Sequence, residues 1–240
     1  MIFFNRFRLK PYILLLFLWM SIIKAPSLLA SPVIDLSKAI IVASLDNPKN
    51  IGAAEFLKSE IYTRTGIDLE IAGAMPEVNL PAIVLGQDTD FPIPAGLSVP
   101  AKPESFAIWV DTAMRAAPTI LVIGRDDHGV LFGAGKLIQK LFLSEMYISV
   151  GRNLSLAEAP ADRMRAQQII TNTQGEDGFL DWRNENDVRQ FIRDMVIFGT
   201  NGFEPTEPAL MDDYLEELGI DLFIKLRCQD IIDLDAKTDN

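Results

Sequence analysis

The chain has 240 residues, 49% of them apolar, with 22 basic against 33 acidic side chains and a net charge of −11. Such a surface repels phosphate backbones and anionic lipid, which excludes nucleic acid as a partner and leaves neutral saccharides compatible. A single cysteine, Cys228, rules out an intrachain disulfide, and a single histidine, His128, rules out metal sites built on paired histidines.

Residues 1–30 read as a secretory leader. Arg6, Arg8 and Lys10 form a basic start, residues 12–23 an apolar run, and 24–30 a short tail ending at Ala30. A membrane-spanning helix takes ~20 apolar residues, and Pro11 and Lys24 close this run short of that. The expectation is a signal peptide, with the mature chain secreted or periplasmic and free of the membrane. Without the leader's four basic residues, 18 basic face 33 acidic side chains, a net of −15.

A first block follows over residues 31–150. The run 39–44 (AIIVAS) is a short apolar strand, and 48–65 is a helix whose Ala53, Ala54, Phe56, Leu57 and Ile61 share one face. Gly66 stops that helix as a glycine just past a C-terminus does. Strands are predicted at 68–72, 82–85, 105–110 and 119–123. Pro92, Pro94, Gly96, Pro100 and Pro103 mark an irregular connection between the second and third of these. The turn 124–129 (GRDDHG) leads into a helix at 130–142, with Leu131, Ala134, Leu137, Ile138 and Leu141 on one stripe. The order β-α-β-β-β-β-α describes a small, sandwich-like α+β domain with its helices on one sheet face.

Residues 151–162 read as a linker, and a second block occupies 163–240. It opens with a strand at 164–171 and a helix at 185–198. In that helix Val188, Phe191, Ile192, Met195 and Val196 face inward, and a strand ending at Glu204 follows. A further helix (208–218) and strand (221–226) continue the β-α-β-α-β order, whose crossovers make the strands parallel. A complete (β/α)8 barrel takes ~250 residues, and 78 remain from Arg163 onward. The fold class expected is therefore α/β: a small α+β domain followed by the incomplete start of a barrel, the chain being the front of a longer protein.

The order of short motifs resembles the N-terminal part of α-glucuronidase-type glycoside hydrolases, a group that shares its architecture with β-N-acetylhexosaminidases. In the first block these motifs are Arg64-Thr65-Gly66, then Val84-Leu85-Gly86, then Gly124, Asp126 and Gly129 with Phe132-Gly133. In the second they are Met164, Arg165 and Gln168, followed by Phe198, Gly199, Thr200, Asn201 and Glu204. Ala166 and Gln167 stand where relatives often carry Gly-His. The resemblance implies an exported enzyme of polysaccharide breakdown, of the xylan or glucuronoxylan kind, with no cofactor and no metal. It also implies catalytic carboxylates on barrel strands beyond residue 240, so that no residue here is catalytic and the chain alone is inactive. The rival reading is a non-catalytic carbohydrate-binding or interaction module. Oligomeric state is not legible.

Glycoside hydrolysis uses two carboxylates flanking the scissile bond. Glu204 and Glu207 lie at a strand end but only three residues apart, beside Pro205 and Pro208, and Glu204 suits substrate positioning better than proton transfer. Arg165 and Asn201 are candidates for sugar contacts, since arginine pairs bidentately with a carboxylate and a uronic acid offers one. The alternative for Arg165 is an ion pair with Glu204 on the adjacent strand. Trp182 either stacks on a sugar ring or covers the core. Cys228 reads as a buried thiol, His128 as a cap or surface residue, and Asp126 as a helix cap.

Overall fold

The computed structural model describes residues 33–91, 93–162, 165–169 and 184–205. The leader, Met164, Trp182, Glu207, Cys228 and the elements expected at 208–226 lie outside the described residues.

The strands are β1 (Val33–Asp35), β2 (Ile40–Ala43), β3 (Glu70–Ala72), β4 (Ala82–Gln87), β5 (Phe106–Asp111), β6 (Thr119–Gly124), β7 (Phe142–Ser144), β8 (Tyr147–Gly151), β9 (Ser155–Glu158), β10 (Ala166–Ile169) and β11 (Gly202–Pro205). The helices are α1 (Pro48–Thr65), α2 (Asp127–Lys140) and α3 (Glu185–Ile197). The fold is α/β, as the pattern requires.

Helix α1 shows how directly local chemistry sets an element. The Asn47 side chain accepts from the Lys49 amide at 3.0 Å, and Pro48 stands at the first turn, where a missing N–H costs nothing. Gly66 turns left-handed at φ 74° and donates its amide to the Tyr62 carbonyl at 2.8 Å. All five residues of the expected stripe are buried.

One six-stranded sheet, ordered β3-β2-β4-β6-β5-β9, forms the centre of the first block. β3, β2, β4 and β6 run parallel, while β5 and β9 add antiparallel pairings at one side. Ile41, Ile83, Leu85, Ile108, Ile120 and Val122 pack with the helices on one face. Val42, Val84, Leu121 and Ile123 form a second cluster on the other face. That face is covered by Phe91, Ile93, Leu97 and Val99 from the proline-rich connection, together with Trp109 of β5. Because both faces are covered, β2, β4 and β6 are continuous apolar runs without alternation.

Three differences from the sequence-based expectation concern edges and ends. The stretch expected as a linker contains β9, which pairs antiparallel with β5 from Phe106↔Glu158 to Trp109↔Ser155. β1, β8 and β7 form a separate antiparallel sheet, in which Met146 takes φ 55° in the tight turn from β7 to β8. Helix α2 starts three residues earlier than the apolar stripe suggests, because its cap is Asp126. Short strands with mixed composition carry too little periodicity to be seen alone.

β10 and β11 pair in parallel, from Ala166↔Gly202 to Ile169↔Pro205, and α3 connects them. This is the expected β-α-β unit. Val188, Ile192 and Val196 of α3 belong to the same apolar cluster as α1 and α2, with Phe191 and Met195 packed at its margin.

Candidate functional site

Arg165 and Asn201 are brought together at the amino-terminal ends of β10 and β11. The Arg165 amide donates to Asn201 Oδ1 at 2.7 Å, and the Asn201 amide donates to the Arg165 carbonyl at 3.1 Å. Both side chains then converge on Glu104 of the first block. Arg165 Nη2 lies 2.7 Å from Glu104 Oε2, and Asn201 Nδ2 donates to Oε1 and Oε2 at 3.0 and 3.2 Å. Arg165 also donates from Nη1 to the Asp162 carbonyl at 2.8 Å and from Nε to the Gly199 carbonyl. Its guanidinium sits 5.1 Å from the Phe132 ring centroid, within cation–π range.

Glu104 is held in place from behind. Its backbone is left-handed at φ 61°, an uncommon state for a residue with a Cβ, and its amide donates to Asp126 Oδ2 at 2.9 Å. The other oxygen, Asp126 Oδ1, caps α2 by accepting from the Gly129 amide at 2.8 Å. Asp126 therefore serves the cap the sequence suggested and also anchors the Glu104 backbone. Asp126→Ala removes both bonds and should lower stability by about 1–2 kcal/mol. Urea unfolding monitored by circular dichroism checks this, and an unchanged midpoint would refute it.

These positions revise the expected ion pair. The parallel register sets Gln168, not Arg165, opposite Glu204. Three residues at a rise of ~3.3 Å displace Arg165 from that level by roughly 10 Å, and Arg165 pairs with Glu104 instead. The same register separates the candidates by strand end. Arg165 and Asn201 precede their strands, whereas Glu204 stands in the carboxyl half of β11. At Arg165 and Asn201, where sugar contacts are expected, side-chain donors are engaged by Glu104 and by the Asp162 and Gly199 carbonyls. His128 is half-buried with its Nε2 enclosed and without a hydrogen-bond partner; the cap is Asp126.

A second group went unnoticed in the sequence. Glu60 on α1 is fully buried, with Arg64 from the next turn against its Oε2 and Arg193 Nε of α3 2.9 Å from its Oε1. The Arg193 contact is close in distance but not aligned as a hydrogen bond. Arg64 also approaches Asp194 at 3.4 Å, and Gln190 donates to Asp194 at 3.0 Å. Glu60 and Arg64 follow the i,i+4 spacing of an exposed helix pair, so nothing in the sequence distinguishes them from surface residues.

Beside the Arg165–Glu104 pair lies a cleft of about 240 Å³, lined by Phe106, Phe132, Lys136, Glu158, Arg165 and Phe198 among others. It is smaller than the ~300–1,000 Å³ usual for small-molecule sites. Its charges are also matched, with Lys136 Nζ 3.0 Å from Glu158 Oε1 and Arg165 on Glu104. Phe198, 75% exposed, stands at its rim.

Neither a protein-family profile nor a curated protein sequence matches the chain. Solved structures do. A family GH115 4-O-methyl-α-glucuronidase, BtGH115A, with specificity for decorated arabinogalactans, superposes with a TM-score of 0.54 at 14% identity, over 78% of this chain and 29% of that one. The GH20 β-N-acetylhexosaminidase of Streptomyces coelicolor A3(2) matches at 0.48 and 12% identity, over 72% of this chain and 31% of its own. A GH138 enzyme targeting pectin rhamnogalacturonan II matches at 0.45 and 15% identity, over 75% and 28%. The chain has a glycoside hydrolase-like α/β fold and spans less than a third of the length of these structures.

Proposed function

We propose that this chain is the N-terminal portion of an exported glycoside hydrolase that acts on plant-type polysaccharide, with xylan-linked glucuronic acid as the favoured target. In this reading residues 1–30 are the export signal, the block from 31 through β9 is a non-catalytic α/β domain, and 163–240 are the first β/α units of the catalytic barrel, joined through the few residues after β9. The observation that carries it is the parallel β10-α3-β11 unit set directly after a mixed α/β layer. The superposition of the GH115 structure on 78% of this chain supports the reading.

Within this reading the catalytic carboxylates stand on later barrel strands. Glu204 and Trp182 are the residues of this chain proposed to help position the sugar, and Arg165 and Asn201 act on the site only through the placement of β10 and β11. The 240-residue chain should then show no turnover of aryl glucuronides or glucuronoxylan, whereas the product of a reading frame continuing into further β/α units should hydrolyse one of them. Turnover by the 240-residue chain would overturn the view that it lacks its catalytic residues. Heat on titration with xylo-oligosaccharides, without turnover by either protein, would favour a carbohydrate-binding module.

A further inference from the structure

The first block presents to α3 more than an apolar face. Val188, Ile192, Val196 and Ile197 are buried in the cluster formed with Val130, Leu131, Ala134 and Ile138 of α2. Gly135 lets the two helices touch at backbone level: a Cβ there would lie 3.0 Å from Ile197 Cα and 3.1 Å from the Val196 carbonyl oxygen. Gln139 donates to the Ile197 carbonyl, satisfying a group that the end of α3 leaves without a helical partner. On either side of this contact stands a carboxylate of the first block. Glu60 faces Arg193, and Glu104, with 11% of its side chain exposed, faces Arg165 and Asn201.

None of these contacts depends on the stretch of chain that joins the two parts. Ala161 and Asp162 are exposed, and the Asp162 carbonyl is bonded to Arg165, a residue of the second part.

We infer that the helical face of the first block is a docking surface dedicated to the segment 165–205. Its shared apolar core and the Glu60 and Glu104 carboxylates hold that segment even when the connecting chain is cut. The surface and its occupant are complementary in charge: two acidic side chains of the first block meet Arg165 and Arg193. The apolar stripe places them, and the carboxylates set the register, because in any shifted arrangement Glu104 would lose Arg165 and Glu60, buried on α1, would keep only Arg64.

The test uses the full chain with a protease recognition sequence inserted between Ala161 and Asp162. After cleavage, the two pieces should elute together from a sizing column at the position of the uncut chain, with an unchanged circular dichroism spectrum. Remaining joined at ~10 μM requires a dissociation constant below about 1 μM, or roughly 8 kcal/mol of association. Separation into two peaks, or precipitation of one piece, would overturn the inference. Glu60→Gln with Glu104→Gln should keep the uncut chain folded and allow the pieces to part after cleavage. If that double variant stays joined when cut, the carboxylates do not hold the surface. Should the uncut double variant lose its spectrum, Glu104→Gln alone serves, with a fall in the fraction co-eluting as the expected result and no change as the contrary one.

Discussion

Replacing Glu60 with alanine should lower the stability of the chain by about 3 kcal/mol, the low end of the roughly 3–5 kcal/mol seen when one partner of a buried ion pair is removed. The substitution leaves Arg193, whose side chain is 17% exposed, without the carboxylate it faces across the α1–α3 contact. Arg64 has 32% of its side chain exposed and can turn to water, which keeps the loss from being larger. Replacing the pair together, Glu60→Leu with Arg193→Met, should recover much of the stability, because two apolar groups of similar volume avoid the desolvation that both charges suffer. Urea unfolding of the two single variants and the double variant supplies the cycle. A loss below about 0.5 kcal/mol for Glu60→Ala would mean that the carboxylate is solvated in the folded chain, contrary to its complete burial.

Gly129→Ala is expected to cost at least as much, by a different cause. An added Cβ would meet the Ser105 carbonyl oxygen at 2.3 Å, and Gly124 Cα lies 3.2 Å away. The obstructing atoms are backbone, and the Ser105 carbonyl already accepts from the Arg125 amide at 2.8 Å, so no rotamer change relieves the clash. Overpacking typically costs about 1–3 kcal/mol and more where the backbone must move. The displacement would also draw Glu104, adjacent to Ser105, away from Asp126 and from Arg165. We expect about 3 kcal/mol or more of lost stability, read by thermal unfolding, together with weaker co-elution in the cleavage assay. A variant with an unchanged melting temperature would show that the turn can open without cost.

Those two residues differ sharply in how far the sequence exposes their roles. Gly129 belongs to the Gly124-x-Asp126-x-x-Gly129 spacing, in which each position has a local reason. Gly124 packs against the backbone of Val130, Asp126 caps α2, and Gly129 lies on the Ser105 carbonyl. Every one of these contacts except the last falls within six residues, so the pattern is readable as a tight strand-to-helix turn. Glu60 has no such mark. It sits one turn before Arg64 like any surface pair, and only the arrival of α3, whose Arg193 is distant in sequence, buries it.

Glu104 is similar. It follows Pro103 in an irregular connection, and its partners Arg165 and Asn201 stand 61 and 97 residues further along. The proline-rich run itself reads as mere connection, yet its Phe91, Ile93, Leu97 and Val99 close the second face of the sheet. A loop that covers a face has no period, because its backbone does not repeat, and so periodicity is blind to it.

By itself the sequence determined the elements whose causes are local. Among these are α1 with its stop at Gly66, the buried stripes of α1, α2 and α3, the apolar strands, and the β-α-β order of residues 166–205. Only the tertiary structure decided which polar residues meet. Arg165 faces Glu104 and not Glu204, Glu60 is buried against Arg193, and the stretch after β8 adds an edge strand to the main sheet. The physical reason is the range of the forces involved. Capping, turn strain and helical periodicity act within a few residues, whereas a long-range ion pair is set by how helices and strands pack, which no short window of sequence contains.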